Sequence, residues 1–413
     1  MLLAKLFRSL IQQGELTLID ATGRTHRFGT PESGPRVTMR LHDRRLHYRL
    51  LINPRLYLGE AYMDGTLTIE SGTLYDFLDL VGRNAGERTV GRWDAWLLRA
   101  RRLWRGLEQA NPLGLAQKNV AHHYDLSGEL YDLFLDSDRQ YSCGYFADGG
   151  TTLEAAQEAK KHHIAAKLRL APDQHVLDIG CGWGGMALYL ARTAGVRVTG
   201  ITLSREQLRV ARERAEAADL ADRVQFHLCD YREVAEPFDR IVSVGMFEHV
   251  GTPHYREFFD KVWDLLVPDG IALLHTIAHR EPPTNTNPWL RKYIFPGGYC
   301  PALSEIMPIT ERTGLWITDI EILRLHYAET LRHWRARFAA NRDKVARLYD
   351  ERFCRMWEFY LAGSEIAFRY QGNMVAQIQI AKSVDALPIT RDYMGEWEND
   401  HMPAAGRHLQ SVG

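Results

Sequence analysis

The sequence predicts an α/β fold in which a mostly parallel sheet is covered by helices on both faces. From residue 175 onward, apolar runs of strand length alternate with helical patterns, and a glycine-rich loop ends the first run. Strands that alternate with helices form right-handed βαβ units, which build a parallel sheet. The 413 residues leave room for a second domain. We expect a small α+β accessory domain at residues 1–110 and the larger domain at 111–413.

In the first 110 residues, short strand-like runs and turn signals such as Asp64-Gly65 precede a helical pattern at 74–80. A basic stretch at 88–107 then places its tryptophans at helical spacing and its arginines mostly on the other face. This pattern is typical of a helix at a membrane interface, and equally of an interdomain helix with a solvated arginine face. Residues 111–114 break the pattern, and we place the domain boundary there.

The larger domain is predicted as five parallel strands with helices between them. The strands are 175–180, 196–202, 224–230, 240–245 and 271–277, and the helices are 183–193, 205–218 and 255–266. Late edge strands are expected at 315–323 and 372–381. The aromatic, mostly helical segment 330–370 is expected to cap the sheet.

Composition narrows the class of protein. The formal net charge of −1 predicts no nucleic-acid partner. The five cysteines form no Cys-x-x-Cys pair, so we expect a reducing compartment, no disulfide framework and no metal. No apolar run approaches the roughly 20 residues that span a bilayer, and residues 1–11 are a poor match to a signal peptide. We therefore expect a cytoplasmic protein.

The loop Asp178-Ile-Gly-Cys-Gly-Trp-Gly-Gly185 follows the first strand, where open α/β sheets bind ligands. Its glycines permit a tight turn and close approach of the backbone. They also match a dinucleotide pattern, but the second strand runs into Thr202-Leu-Ser204 without the acidic residue that a dinucleotide fold keeps for the ribose. Asp178, two residues before the first glycine, instead resembles the loops of methyltransferases. We therefore expect a Rossmann-like class I S-adenosylmethionine-dependent methyltransferase, with a dehydrogenase or a plain strand-to-helix turn as alternatives.

Eight blocks, in one order over about residues 120–380, together resemble the cyclopropane fatty acid synthases and the related mycolic acid methyltransferases. They are His123-Tyr-Asp-Leu-Ser127, Tyr141-Ser-Cys-Gly-Tyr-Phe146, Leu177-Asp-Ile-Gly-Cys-Gly-Trp-Gly184, Gly200-Ile-Thr-Leu-Ser204, Val244-Gly-Met-Phe-Glu-His249, Leu274-His-Thr-Ile277, Ile294-Phe-Pro-Gly-Gly298 and His326-Tyr-Ala-Glu-Thr330. A further block, Gly59-Glu-Ala-Tyr-Met-Asp-Gly65, resembles the extra domain of the bacterial phospholipid enzymes.

The resemblance implies that a methyl group passes from S-adenosylmethionine to a cis double bond in an acyl chain of a membrane phospholipid. The resulting carbocation loses a proton and closes a cyclopropane ring. The resemblance also implies a bound bicarbonate as the base. Its ligands match the side chains of Cys143, Glu248, His275 and Tyr327 and the backbone of Val244 and Ile277, and His249 is a further catalytic candidate.

These residue types suit a small anion beside a cation. The phenol of Tyr327, an imidazole N–H of His275 and the thiol of Cys143 can donate to an anion. Glu248 can accept a hydrogen bond from the O–H of a bicarbonate that keeps its proton, which would orient the base. Each has a structural alternative: a buried small residue for Cys143, a helix cap for Glu248 and His249, a core histidine for His275 and a core aromatic for Tyr327.

The cofactor site is predicted from the same blocks. The candidates are Tyr141, Ser142, Asp178, Gly180, Gly182, Thr202, Leu203, Gln207 and Tyr231. Thr202 and Gln207 stand where other folds place an acid for the ribose, and Tyr231 follows the third strand, where the adenine is usually bound. Residues 122–125 are expected to cover the cofactor as a lid, with a solvated helix as the alternative.

For partners, we expect phospholipid acyl chains at the inner face of the membrane, with a homodimer contact through the accessory domain as an alternative. Residues 295–299 are expected to shape an acyl tunnel, and 357–361 to line it or to pack in the core. Three other functions stay open: formation of methylene- or methyl-branched chains, N-methylation of a small amine, and a lipid-binding scaffold built on an inactive methyltransferase.

Overall fold

The computed structural model describes residues 2–30, 34–85 and 128–401. The predicted basic helix at 88–107, the domain boundary at 111–114 and the lid at 122–125 lie outside the described residues. The described chain contains two sheets, one in the N-terminal part and one in the larger part.

The N-terminal part is a small α+β unit, as predicted. Its elements in order are α1 (Leu2–Leu10), β1 (Gly14–Ile19), β2 (Thr25–Thr30), β3 (Arg36–Leu41), α2 (Leu46–Ile52), α3 (Pro54–Met63), β4 (Leu67–Ser71) and α4 (Leu74–Ala85). The sheet has the order β2-β1-β3-β4, with β1 and β3 parallel and the other pairs antiparallel. Along β1 every second residue is buried, because successive side chains of a strand point to opposite faces.

The larger part is built on a seven-stranded sheet of order β10-β11-β9-β8-β5-β6-β7. Its strands are β5 (His175–Ile179), β6 (Arg197–Thr202), β7 (Val224–Leu228), β8 (Phe238–Val244), β9 (Leu266–His279), β10 (Trp316–Leu323) and β11 (Asn373–Ala381). The neighbours from β7 to β9 are parallel, and β11 is antiparallel to both β9 and β10. All five predicted parallel strands are present, although β9 begins earlier than expected.

The prediction of an edge strand at 372–381 is wrong, because β11 is an inner strand of the sheet. It pairs with β9 on one side and with β10 on the other. Its last seven residues are all buried, as expected for a strand covered on both faces. The buried amides of Gln377 and Gln379 gave this strand the polar pattern of an edge.

Helices cover the sheet, and the three helices predicted at 183–193, 205–218 and 255–266 are among them. The helices are α5 (Gly128–Asp132), α6 (Leu153–Lys167), α7 (Gly185–Ala194), α8 (Arg205–Ala217), α9 (Tyr255–Leu265), α10 (Pro288–Tyr293), α11 (Leu303–Thr313), α12 (His326–Ala340), α13 (Arg342–Leu348), α14 (Glu351–Tyr370) and α15 (Asp392–Asp400). The segment predicted to cap the sheet is the succession of α12, α13 and α14. Most of their aromatic residues pack in one cluster with Leu323 and Val375 of the sheet.

Helix α14 also connects the larger part to the N-terminal part. The hydroxyls of three tyrosines form hydrogen bonds across this boundary: Tyr62 to Glu358 (3.0 Å), Tyr75 to Glu365 (3.0 Å) and Tyr370 to Asp79 (2.8 Å). Two apolar residues of α14, Ala362 and Ile366, are buried within the N-terminal core.

Candidate active site

The glycine loop has the backbone conformation that its sequence predicts. Gly180 and Gly182 have φ values of +83° and +56°, in the left-handed region that glycine adopts without strain. A Cβ on Gly180 would lie 2.8 Å from the Cβ of Met246, whereas a Cβ on Gly182 would meet no protein atom within 4 Å. Gly182 therefore faces open space at the carboxyl end of β5.

That open space is a cavity at the ends of β5, β6 and β8. All nine predicted cofactor residues line it, namely Tyr141, Ser142, Asp178, Gly180, Gly182, Thr202, Leu203, Gln207 and Tyr231. Val244 and His249 line it too. The structure thus brings together side chains from segments 90 residues apart in one nucleoside-sized recess at the sheet edge, as Rossmann-like folds do.

Asp178 gives a test of whether S-adenosylmethionine fits this cavity. Its Oδ2 atom is buried and has no hydrogen-bond partner among the described residues. Burial raises the pKa of Asp178 to about 7, and the charge of Lys160 opposes that shift. A buried polar atom without a partner is costly, and the cofactor carries a cationic amine and ribose hydroxyls that can donate to it. The residues present therefore fit the cofactor.

The end of β6 presents a polar pair where a ribose would lie. The hydroxyl of Thr202 donates to Oε1 of Gln207 at 2.7 Å and accepts the amide of Ser204 at 3.2 Å. The amide group of Gln207 therefore keeps its NH2 as a donor. Ser204 caps α8 by accepting the amide of Gln207, which holds this side chain at the cavity.

Tyr231 lies after β7 and is fixed from two sides. Its ring is edge-on to Phe258, with the ring centres 5.4 Å apart, and the guanidinium of Arg232 lies 5.4 Å from the ring centre. Asp230 accepts Nε of Arg232 at 2.8 Å. This arrangement provides an aromatic surface of the kind that an adenine requires.

Lys160, which was not predicted from the sequence, lies behind the cavity and supports two residues that line it. Its ammonium is fully buried and donates to Oε1 of Gln140 (2.6 Å) and to Oγ of Ser142 (2.8 Å). Burial lowers the pKa of Lys160 to about 8, while the charge of Asp136 opposes the shift. The available signal was its position on α6, one turn before the buried Ile164 and therefore on the same face.

The predicted anion ligands Glu248 and His275 lie behind the cavity, at the junction of β8 and β9. Val244 is paired with His275 across these strands, and the amide of Gly245 donates to the His275 carbonyl at 2.9 Å. Glu248 accepts the amide of Ile277 through Oε1 at 2.6 Å. Four of the six predicted anion contacts are therefore neighbours.

The two carboxylate oxygens of Glu248 differ in their hydrogen bonding. Oε2 is buried without a hydrogen-bond partner in the described part of the chain. The hydroxyl of Thr276 donates to the Ile277 carbonyl at 3.2 Å and also lies close enough to Glu248 to lower its pKa. Burial raises the pKa of Glu248, and the Ile277 amide opposes this. The N–H of Ile277 is donated to Glu248, and the expected contact of the Ile277 backbone with the anion stays a prediction.

His275 is a buried and neutral imidazole. Burial lowers the pKa of His275 to about 3, so the ring carries one proton near neutral pH. Its Nδ1 lies 3.2 Å from Nε2 of Gln377. One ring nitrogen is thus engaged inside the sheet.

Cys143 and Tyr327 belong, with Ile277, to a single apolar cluster beside this junction. The thiol of Cys143 contacts the carbonyl of Gly144 at 3.3 Å, and burial raises its pKa. The amide of Gly144 donates to Thr330 of α12 at 3.0 Å, the helix that also carries Tyr327. The structure therefore joins the two segments that hold these candidates.

His249 differs from its neighbour Glu248 in where it lies. It lines the cofactor cavity, with its ring centre 6.3 Å from that of Phe295, whereas Glu248 turns toward β9. Burial lowers the pKa of His249 to about 4. The position places His249 with the cofactor residues.

The aromatic run at 357–361 serves mainly the core. Trp357 and Leu361 are buried in the apolar cluster, whereas the Tyr360 hydroxyl is 2.8 Å from that of Tyr141, which lines the cavity. Phe295 packs edge-on to Tyr360, with the ring centres 5.7 Å apart. Aromatic side chains thus connect the cofactor cavity with segment 295–299.

Comparison with known proteins decides the family. Residues 114–378 match the family model of mycolic acid cyclopropane synthetase. The chain belongs to this family. Residues 2–89 match a second model, which describes a domain of unknown function.

The relatives act on lipids, according to their names. The chain is 40% identical over 339 residues to the cyclopropane-fatty-acyl-phospholipid synthase of Escherichia coli strain K12, a match that covers 82% of this chain and 86% of that protein. It is also 40% identical over 324 residues to the tuberculostearic acid methyltransferase UfaA1 of Mycobacterium tuberculosis, which covers 75% of each protein.

Solved structures confirm the fold class. The mycolic acid cyclopropane synthase CmaA1, in complex with SAH and CTAB, has a TM-score of 0.62 and 34% identity, covering 64% of this chain and 98% of that one. Coclaurine N-methyltransferase, at a TM-score of 0.64 and 22% identity, covers 78% of this chain and 98% of that one and shares the fold. The chain is thus a class I S-adenosylmethionine-dependent methyltransferase, as the glycine loop predicted.

Proposed function

We propose that this enzyme converts cis double bonds in the acyl chains of membrane phospholipids into cyclopropane rings, with a bound bicarbonate as the base. The observation that carries the proposal is the buried Oε2 of Glu248, which has no hydrogen-bond partner within residues 2–30, 34–85 and 128–401 and lies close to the neutral His275. The named activity of the Escherichia coli relative supports the substrate.

The reaction divides between cofactor and protein. S-adenosylmethionine, when bound, would supply an electrophilic methyl group: its S–CH3 bond breaks, S-adenosylhomocysteine is left, and the methyl group adds to one alkene carbon so that the other carbon becomes a cation. Loss of a proton from the new methyl group then frees the electron pair that closes the ring, so that one CH2 is gained. The protein must keep water from the cation. Cys143 and Tyr327 lie in an apolar cluster that provides such a dry environment.

The residues around Glu248 fit a bicarbonate that retains its proton. Oε2 of Glu248 would accept a hydrogen bond from the bicarbonate O–H, and an N–H of His275 and the Tyr327 phenol would donate to the charged oxygens. Such an anion stabilises nearby positive charge and can take up the proton that the ring closure releases. Asp178 and the Thr202–Gln207 pair would hold the cofactor.

The direct test is incubation with labelled S-adenosylmethionine and vesicles of cis-monounsaturated phospholipid, followed by NMR of the extracted acyl chains. Upfield ring protons are expected, together with turnover that falls when carbon dioxide and bicarbonate are removed and returns when bicarbonate is added. Transfer of label without ring protons would contradict the proposed product, and turnover independent of bicarbonate would contradict the base.

Formation of a methylene- or methyl-branched chain is the second candidate. The observation in its favour is that the chain is 40% identical both to the tuberculostearic acid methyltransferase and to the phospholipid enzyme. A ring and a methylene branch have the same mass, so the NMR spectrum and not the mass must decide between them.

The proposal includes contact with the inner face of the membrane through the N-terminal part. Tyr48 and Ile52 of α2 have 69% and 78% of their surfaces exposed, and Arg44, Arg45 and Arg55 are exposed beside them. Apolar side chains among cations suit an anionic bilayer surface. Among the described residues, no helix has the length and apolar character to cross a bilayer.

An exposed-residue substitution tests this contact. Ile52→Asp should lower the fraction of enzyme that sediments with anionic vesicles by about 5-fold or more, because an apolar anchor becomes a like charge. Ile389→Asp is the matched control, since Ile389 is fully exposed in the larger part. Equal losses for both variants would contradict the proposed surface, and a change in oligomeric state for Ile52→Asp alone would favour the homodimer contact.

A further inference from the structure

Gln377 lies beside His275 inside the large sheet. The two residues are directly paired across the antiparallel strands β11 and β9, and both are buried. Nε2 of Gln377 is 3.2 Å from Nδ1 of His275. On its other side, Oε1 of Gln377 accepts Nζ of Lys167 at 2.8 Å.

These contacts determine which atom of the Gln377 amide faces His275 and which ring nitrogen of His275 carries the proton. A lysine ammonium can only donate hydrogen bonds, so the amide atom that faces Lys167 is the oxygen. The NH2 group of Gln377 then faces His275, and it too can only donate. Nδ1 of His275 must therefore accept, which places the single ring proton on Nε2.

Burial lowers the pKa of Lys167, whereas its ion pair with Glu321 of β10 opposes this and favours the ammonium form. Glu321 also accepts Nε2 of His163 at 2.6 Å, and Nδ1 of His163 is 2.6 Å from Glu398 of α15. The chain of contacts thus runs from Glu398 through four intermediate side chains to His275, and it anchors the amide of Gln377 from outside the site.

We propose that Gln377 is a positioning residue that holds His275 in the tautomer with its proton on Nε2. This inference rests on the proposed function, because it assigns Nε2–H as the donor to bicarbonate. In the opposite tautomer, a lone pair of Nε2 would face the anion and repel it. Gln377 acts on the reaction without touching the reacting atoms.

The test is Gln377→Glu, which changes one NH2 group into an oxygen. The new carboxylate keeps an acceptor for Lys167 but presents an acceptor to Nδ1, so the proton should move to Nδ1. Nitrogen-15 NMR of histidine-labelled enzyme distinguishes protonated from unprotonated ring nitrogens, and a His275→Ala spectrum identifies the signals. We expect wild-type His275 to be protonated on Nε2, and Gln377→Glu to be protonated on Nδ1.

The activity should follow the tautomer. Loss of one preorganised donor lowers turnover by about 10²-fold or more, and we expect this for Gln377→Glu with unchanged affinity for S-adenosylmethionine. Gln379→Glu is the matched control. Gln379 is equally buried on the same strand and donates to the Lys167 carbonyl at 2.5 Å, with no hydrogen bond to His275 in the described structure. Its His275 spectrum should stay that of the wild type.

Each result has a distinct meaning. Wild-type His275 protonated on Nδ1 would overturn the inference whether or not any variant folds. A shifted tautomer with unchanged turnover in Gln377→Glu would overturn it too. If the wild-type tautomer is as expected but turnover does not depend on bicarbonate, the assignment of Gln377 as the residue that sets the tautomer stands and the proposed base fails.

Discussion

Replacement of Glu248 by glutamine is the most informative change at the proposed base. The side chains are nearly isosteric, so Oε1 can still accept the Ile277 amide, which it does at 2.6 Å in the wild type. The buried Oε2, which has no partner among the described residues, becomes an NH2 group. One acceptor is thus converted into a donor while the backbone contact is retained.

The size of the effect follows from that conversion. A hydrogen bond to a charged group contributes about 1.5–3 kcal/mol, and each 1.36 kcal/mol is a factor of ten in rate. Loss of the bond between Glu248 and bicarbonate should therefore lower turnover by about 10- to 150-fold. Glu248 does not line the cofactor cavity, so the Kd for S-adenosylmethionine should change by less than about twofold.

The assay is transfer of label from S-adenosylmethionine to phospholipid vesicles, with cofactor affinity measured by calorimetry on the same preparation. Glu257→Gln serves as the control, since Glu257 is a partly exposed residue of α9 whose carboxylate contacts His254 at 2.8 Å. A Glu248→Gln enzyme with turnover within about twofold of the wild type would refute the role of Glu248 in orienting the base.

Two further predictions concern the cofactor cavity. Because the pKa of Asp178 is raised to about 7, the carboxyl is largely protonated below that pH, and affinity for S-adenosylmethionine should rise as the pH increases through 7. Asp178→Asn should flatten that dependence and weaken binding by about 10-fold or more at pH 8, and calorimetry between pH 6 and 8 measures both effects. Gly182→Ala should weaken cofactor binding by about 10-fold or more, because its Cβ would enter the open cavity. Its left-handed backbone adds about 1–2 kcal/mol of destabilisation, and equal affinity in Gly182→Ala and the control Gly149→Ala would contradict this placement.

The sequence predicted the fold best where local patterns control it. Parallel strands appear as apolar runs, and the loop after β5 needs glycine at Gly180 and Gly182 for conformational reasons that are visible in the chain itself. All nine cofactor candidates surround one cavity, because the ends of parallel strands meet at one edge of the sheet.

Features that depend on distant partners could not be predicted in this way. Gln377 and His275 are 102 residues apart, and only the register of β11 on β9 reveals their contact. The same buried amides made β11 resemble an edge strand. Lys160 resembled a solvated charge because its partners, Gln140 and Ser142, lie on another segment. The Ile277 amide is a backbone group, and no side-chain pattern indicates its partner.

Helix α14 has a consequence for how the chain folds. Its 20 residues form a rod about 30 Å long, which contributes Ala362 and Ile366 to the N-terminal core and Trp357 and Leu361 to the core beside the cavity. Helix α14 therefore belongs to both hydrophobic cores, and neither core is complete without it. Although two family models divide the chain, its thermodynamic unit is larger than either: the N-terminal part and the catalytic part stabilise each other and should lose their structure together.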